Sequence, residues 1–259
     1  MPNKYKELQE KYESENFIDT SKPVWNYSLL TDEDIRNFQS GTNYSLYEKF
    51  GSHSIQVNGV WGMYFCVWAP NATFVFVTGN FNDWDKVSHP LTPRWDRSGI
   101  WEGFIPNFNL GELYKYHIVG YQNRVTEKGD PFANFWELKP LTSSITWDMH
   151  YDWKDDAWMK NRNKNNALNA PWSIYEVHLG SWQRPDPFNE HKYNTYDQIR
   201  ERLVPYVKEM GFTHVEFMPL TEHPYDGSWG YQTTGYFAAT SRFGDPQGLM
   251  RLIDAFHQE

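Results

Sequence analysis

The stretch EHPYDGSWGYQTTGYFA, Glu222 to Ala238, gathers groups that could meet a ligand around Gly227, Gly230 and Gly235. They are the carboxylates of Glu222 and Asp226, the imidazole of His223, the indole of Trp229, the amide of Gln232 and the phenols of Tyr225, Tyr231 and Tyr236. Flat rings beside hydrogen-bonding groups suit a molecule with apolar faces and polar edges, as a sugar has. The same rings could instead pack the loop onto its own sheet, and residue types alone leave both readings open. Position admits ligand contact without deciding it. The loop follows the apolar run THVEFMPL, and in a parallel βα unit the loop after a strand's C-terminal end lies on the face where ligands bind.

The elements that would carry this loop follow βα grammar after Pro171. SIYEVHLG is strand-sized and apolar, and YDQIRERLVPYVKEMGF places Ile199, Leu203, Val207 and Met210 at helical spacing, with Pro205 as a kink and Gly211 as the stop. THVEFMPL is a second buried strand. In DPQGLMRLIDAFHQ, Asp245 is the N-cap, Pro246 the first helical residue, and Leu249, Leu252, Ile253 and Phe256 one apolar stripe. Strands alternating with helices imply a parallel sheet or a (β/α)8 barrel. A barrel takes roughly 250 residues, and the stretch from Trp172 onward holds about two βα units, so the expectation is an incomplete barrel and a fragment of a longer chain.

Upstream, four β-rich runs between Gly59 and Trp147, GMYFCVWAP, ATFVFVTGN, GIWEGFIPN and ELYKYHIVG, are separated by turn residues and predict a small β-sandwich. Trp61, Trp68 and Trp101 within these runs are expected in its core. Residues before it are helical or irregular, an appendage in which Thr31 caps DEDIRNF. The polar, Asn-rich stretch WKDDAWMKNRNKNNALNAPWS is expected to be a linker. The expected organisation is therefore an extension over 1–50, a sandwich over 51–150, a linker over 151–172 and part of a barrel over 173–259.

Aromatic residues make up 18% of the chain, with 13 Trp, 17 Tyr and 17 Phe, more than an aliphatic core requires. The net charge of −9 and the lack of a Lys/Arg block argue against nucleic acid or an anionic membrane as partner. No apolar run approaches the roughly 18 residues of a membrane span, and the polar N-terminus lacks a secretory core, so a cytoplasmic location is expected. The single cysteine, Cys66, reads as a buried small hydrophobe, and no Cys/His spacing suggests a metal site.

The words IYEVHLGSW (174–182), GFTHVEFMPLTEHPYDGSWGYQTTGYFAATSRFGDP (211–246) and GNFNDW (79–84) resemble the 1,4-α-glucan branching enzymes of the α-amylase superfamily, glycoside hydrolase family 13. Gln232, after Trp-Gly-Tyr, is similar to the bacterial branching form, where debranching relatives carry Asp or Asn. The resemblance implies a carbohydrate-binding module 48 sandwich of immunoglobulin-like type, then a (β/α)8 catalytic barrel. It also implies a reaction that cuts α-1,4 and forms α-1,6 glucosidic bonds in glycogen- or starch-like glucan, without metal or organic cofactor. The chemistry is a retaining double displacement between an Asp nucleophile and a Glu acid/base about 5 Å apart.

Those carboxylates fall, by the resemblance, beyond residue 259, so no catalytic residue is assigned in this chain and none of its own branching activity is expected. Of the acids present, Glu176 and Glu216 lie in strands, and Glu222 and Asp226 are expected to order the loop or pair internally. The resemblance assigns Tyr231 to stacking on the glucose at the cleavage point, with His223, Asp226, Trp229 and Gln232 ordering that subsite. Gly227 and Gly230 would serve tight turns, and His178 would be an interior, hydrogen-bonded histidine. In the sandwich it assigns Trp84 to a sugar face and Lys115 to a hydroxyl, although Tyr121, Gln122 and Asn123 stand where some relatives have another Trp. The rival expectations are a stand-alone glucan-binding or scaffold module, and a debranching relative.

Overall fold

The computed structural model describes residues 18–259 except 187, 190 and 191. Part of the expected N-terminal extension, residues 1–17, lies outside the described residues. The chain divides into two compact units, one reaching Ala133 and including Leu141–Asp148, the other made of Asn134–Pro140 and Met149–Glu259.

The first unit is built from two antiparallel sheets. Strands β1 (Gly51–Val57) and β2 (Val60–Trp68) form a hairpin that turns at Asn58 and Gly59, both with positive φ, as an Asn-Gly turn between right-twisted strands requires. β3 is Ala72–Gly79, β4 Thr92–Pro93, β5 Ile100–Pro106, β6 Leu113–Gly120 and β7 Val125–Lys128. The first sheet runs β1-β2-β5-β4. In the second, β6 pairs with β3 and β7, and its first two residues pair with Ser144–Ile145. Met63, Phe65, Val67, Val75, Val77, Trp101, Ile105, Tyr114 and Tyr116 fill one core of this unit.

The segment before β1 is more than an appendage. Trp25 exchanges two backbone hydrogen bonds with Phe104, and Trp25, Leu30, Ile35 and Phe50 pack on Tyr64, Cys66, Ile100 and Phe104, the opposite face of β2 and β5. Helix α1 (Asp32–Gln39) starts at Thr31 in a reciprocal capping box with Asp34. With both faces covered, β2 is buried without alternation from Gly62 to Val67. Its two ends escape that cover. Trp61 and Trp68, expected in the core, are 62% and 55% exposed, whereas Trp101 is buried as expected. Cys66 is buried, and burial pushes its thiol well above its usual range.

Buried charge accompanies these cores. Glu102 receives hydrogen bonds from Tyr64 and Ser28 and an ion pair from Arg94 at 2.7 Å, and burial still holds its carboxyl above the usual range. Asp130 is fully buried, with no ion pair among the described residues. Tyr114 and Tyr116 donate to its Oδ2, both at 2.8 Å, the Phe132 amide donates to Oδ1, and burial raises its pKa to about 6.

In the second unit, parallel strands β8 (Ile174–Val177) and β9 (His214–Phe217) are joined through the short helix α3 (Leu179–Trp182) and α4 (Tyr196–Glu209). Both strands were expected to be buried, but Glu176 and Glu216 are exposed and Ile174 is 48% exposed. Thr195 caps α4 in a box with Gln198, and Ile199, Leu203 and Val207 are buried. Met210, expected on that stripe, is 57% exposed just past the helix end, where Gly211 turns at φ +76°. Helix α5 (Pro246–Gln258) starts as expected, with Asp245 accepting from the Gly248 amide, and sets Leu252 in the core.

The expected linker contains a further helix, α2 (Asp156–Asn165). It has no apolar stripe to announce it. One ring anchors it instead: Trp158 stacks on His257 of α5 with centroids 3.6 Å apart, and Asp155 pairs with His257 at 2.7 Å.

Candidate functional site

The loop is bounded by a short antiparallel pair, Thr221–Glu222 against Gly235–Ala239. At its base lies a buried ion network. Glu222 accepts from the Ser241 amide at 2.6 Å, Ser241 Oγ at 2.8 Å, the His223 amide at 3.0 Å and Arg242 Nη1 at 3.1 Å. Arg242 Nε donates to Asp226 Oδ1 at 2.7 Å, and Lys139 pairs with the other oxygen of Asp226. Glu222 and Asp226 thus bracket one guanidinium, which agrees with the expectation of internal pairing. Burial lowers the pKa of Arg242, and its Nη2 has no partner among the described residues.

From that base the chain makes a short 3-10 turn, Asp226–Ser228, and Trp229 follows in the left-handed region at φ +54°. Its ring stacks on His178 with centroids 5.3 Å apart and 28° between planes. Gly230, at φ +90°, lies so close to the chain that a Cβ there would sit 2.3 Å from the Pro219 carbonyl oxygen, so glycine is required. Gly227 has no such φ; a Cβ there would meet the Tyr225 ring. Trp229, Tyr231 and Tyr236 are 53%, 69% and 71% exposed, so these rings do not pack the loop onto its sheet. Gln232 is exposed beside them.

His223 is buried at the loop base, its Nδ1 2.8 Å from the Thr221 carbonyl oxygen, and burial lowers its pKa. His178 was expected inside the fold. It is half-buried instead, with Nδ1 2.9 Å from Ser181 Oγ, and it lines an open cleft with Gly180, Tyr193, His223, Asp226 and Arg242. Arg242 and Lys139 were not singled out from the sequence. Neither belongs to a spacing pattern, and Lys139 comes from a distant strap, Asn134–Pro140, whose Trp136 would collide with any Cβ at Gly235.

In the first unit, Asp83 and Trp84 both have positive φ, 53° and 60°, and the Trp84 ring is 37% exposed. Asn82 pins this turn by accepting from the Gly79 amide at 3.0 Å and donating to the Val77 and Asp85 carbonyls. Lys115 lies across from Thr78, at the end of the β3–β6 pair from which the turn leaves, and donates to Thr142 Oγ1 at 2.8 Å. Glu176 and Glu216 face each other across the parallel pair. Among the described residues no group of three His, Cys, Asp or Glu side chains could hold a metal ion, and no helix is long and apolar enough to cross a membrane.

Comparison with known proteins follows the same division. Residues 49–133 match carbohydrate-binding module 48 (isoamylase N-terminal domain). Over 90% of its length the chain is 50% identical to 1,4-alpha-glucan branching enzyme GlgB of Aquifex aeolicus and 51% identical to that of Aromatoleum aromaticum. Over 88% it is 45% identical to that of Thermosynechococcus vestitus. It covers 37%, 35% and 32% of those proteins, so the chain spans about a third of the curated relatives it matches. A crystal structure provisionally described as an alpha amylase of Salmonella typhimurium matches 81% of the chain, over 31% of its own, with a TM-score of 0.60 and 21% identity, a likeness of fold. The resemblance carried by the motifs is thus a similarity along nearly the whole chain.

Proposed function

We propose that this chain is a glucan-recognising portion of a 1,4-α-glucan branching enzyme, comprising a carbohydrate-binding sandwich and the opening of a (β/α)8 barrel. The pair β8–α4 and β9–α5 would be the first two βα units, which places the loop after β9 on the ligand face. The single observation that carries this reading is the presentation of Trp229 and Tyr231 to solvent on a loop pinned by buried ion pairs, in a sequence half identical to branching enzymes. Tyr231 would stack on a glucose ring, and His223, Asp226, Trp229 and Gln232 would order that subsite. Trp84 and Lys115 would hold glucan on the sandwich.

The full reaction needs two carboxyl groups close to the scissile bond, one ionised and one protonated. Glu222 and Asp226 are committed to Arg242, and Glu176 and Glu216 stand exposed side by side on the parallel pair. This chain by itself should therefore bind glucan and not branch it. Affinity electrophoresis in soluble branched glucan, with Trp84→Ala and Tyr231→Ala beside the parent and an iodine-stain branching assay on the same samples, tests both halves. Retardation that weakens in each variant, with no branching, is expected. Branching by the parent would refute the assignment of chemistry, and absence of retardation would refute recognition.

A further inference from the structure

The chain does not pass from the first unit to the second in a single step. It leaves the first after Ala133, returns at Leu141 and leaves again after Asp148, so Asn134–Pro140 is a strap with both ends rooted in the sandwich. Ala133 is buried and its amide donates to the Asp130 carbonyl, while Ser144 and Ile145 pair with Tyr114 and Leu113 at the start of β6. Joining two domains needs one crossing, and the excursion calls for another reason.

The side chains of the strap supply it. Trp136 closes on Gly235, where a Cβ would lie 2.7 Å from its Nε1. The Glu137 carbonyl accepts from Ser241 Oγ at 3.4 Å, and Lys139 pairs with Asp226. Asp226 precedes Trp229 and Tyr231, whereas Gly235 and Ser241 follow them, so the strap grips both limbs of the aromatic loop. Its return end is tied to the sandwich by Lys115, the residue of β6 after Tyr114, which donates to Thr142 Oγ1 at 2.8 Å. Only Pro140 and Leu141 separate Thr142 from Lys139, a stretch of at most about 11 Å when fully extended, which leaves little slack.

We infer that the strap Asn134–Pro140 couples Lys115 on the sandwich to the aromatic loop, with Lys139 as the positioning residue that carries the state of the Lys115–Thr142 bond to Asp226 and the turn bearing Trp229. The inference rests on the glucan reading and deepens it by naming a regulation of that loop. A sugar hydroxyl that recruits Lys115 competes with Thr142, so an occupied sandwich loosens the loop, and by linkage the state of the loop alters affinity at Lys115. The element with two arrangements is the ammonium of Lys115, held by Thr142 in one and by sugar in the other.

The test reads amide exchange over Gly227–Tyr231 in the 259-residue chain without ligand, with Val75 of β3 and Leu203 of α4 as references. Lys115→Met and Thr142→Val each remove the sandwich-side bond, and Thr142 is exposed, so the core is left intact. Each should speed exchange in the loop about threefold and leave the references unchanged, and Lys139→Met should speed it about tenfold. Lys139→Arg, which restores a cation for Asp226, should bring the loop back to within about twofold of the parent. Unchanged loop exchange in Lys115→Met and Thr142→Val would overturn the coupling, even where Lys139→Met accelerates it, because the strap would then only pin the loop. A second arm adds maltoheptaose to the chain carrying Tyr231→Ala, with retardation in glucan gels confirming that the sandwich still binds. Exchange at Trp229 should speed about threefold, and Thr142→Val should abolish that response. Binding without any response at Trp229 would overturn the coupling and spare the glucan reading. Absence of binding would overturn the glucan reading, and the ligand-free measurements would decide the coupling by themselves.

Discussion

Removing the Glu222 carboxylate should cost the second unit much of its stability and release the aromatic loop. Glu222 is 4% exposed and accepts four close hydrogen bonds, one from a guanidinium that is itself 97% covered at the side chain. Glu222→Ala leaves Arg242 with Asp226 and Thr240 alone and strands the Ser241 and His223 amides. Breaking a buried pair from one side costs about 3–5 kcal/mol, against a typical 5–15 kcal/mol for a whole domain. Glu222→Gln keeps one acceptor but turns an amide donor toward groups that already donate, for about 1–3 kcal/mol. Urea unfolding followed by fluorescence, with amide exchange read separately at Trp229, Tyr231 and Leu203, checks the order. Parent, Gln, Ala should fall in that sequence, and exchange at Trp229 and Tyr231 should accelerate more than at Leu203 of α4. A loss below about 1 kcal/mol for Glu222→Ala would refute the claim that this network holds the loop.

Asp130 makes a pH prediction of opposite sign to that of an ion-paired carboxylate. Its folded pKa of about 6 lies above the usual 3.8, so its contribution is fully present below the unfolded value and is lost as pH rises through about 6, by up to about 3 kcal/mol. Denaturation midpoints of the parent and Asp130→Asn from pH 4.5 to 8 should diverge in favour of the variant as pH rises, because the tyrosine hydroxyls can turn to accept from the new amide; parallel profiles would count against it. Gly230→Ala should cost at least about 2 kcal/mol through the left-handed φ and the contact with Pro219, and should shift Trp229 fluorescence as the ring leaves His178. An unchanged spectrum and midpoint would show that the turn has room to adjust.

What the sequence disclosed about this molecule divides by range of interaction. The caps at Thr31 and Asp245, the stripe of Ile199, Leu203 and Val207, and strands β2, β3, β5 and β6 are set by neighbours within a few residues, and they were legible, whereas β1 was not singled out. The burial of β2 on both faces was not, because its cover comes from Trp25, Leu30 and Phe50, and that left Trp61 and Trp68 misplaced. The helix over Asp156–Asn165 lacks an apolar face, so its stack on His257, about a hundred residues away, has no periodic trace. At the site the aromatic residues were visible as composition and order. Arg242, Lys139 and the cleft role of His178 appear only when the strap, the loop and the end of β8 are brought together.

Two exposed tryptophans share a feature that packing does not account for. Trp84 at φ +60° and Trp229 at φ +54° occupy the left-handed region, at about 1–2 kcal/mol each for a residue with a Cβ. A buried ring could offset that through contact area, but these rings are 37% and 53% exposed. The strain persists because each turn is held from beneath by polar groups, Asn82 in one case and Asp226 with Arg242 and Lys139 in the other. A surface optimised for stability alone would relax such a turn with glycine or asparagine at the strained position. Keeping an indole there, and pinning its support, leaves each ring part exposed at a cost in backbone strain that the polar groups beneath offset.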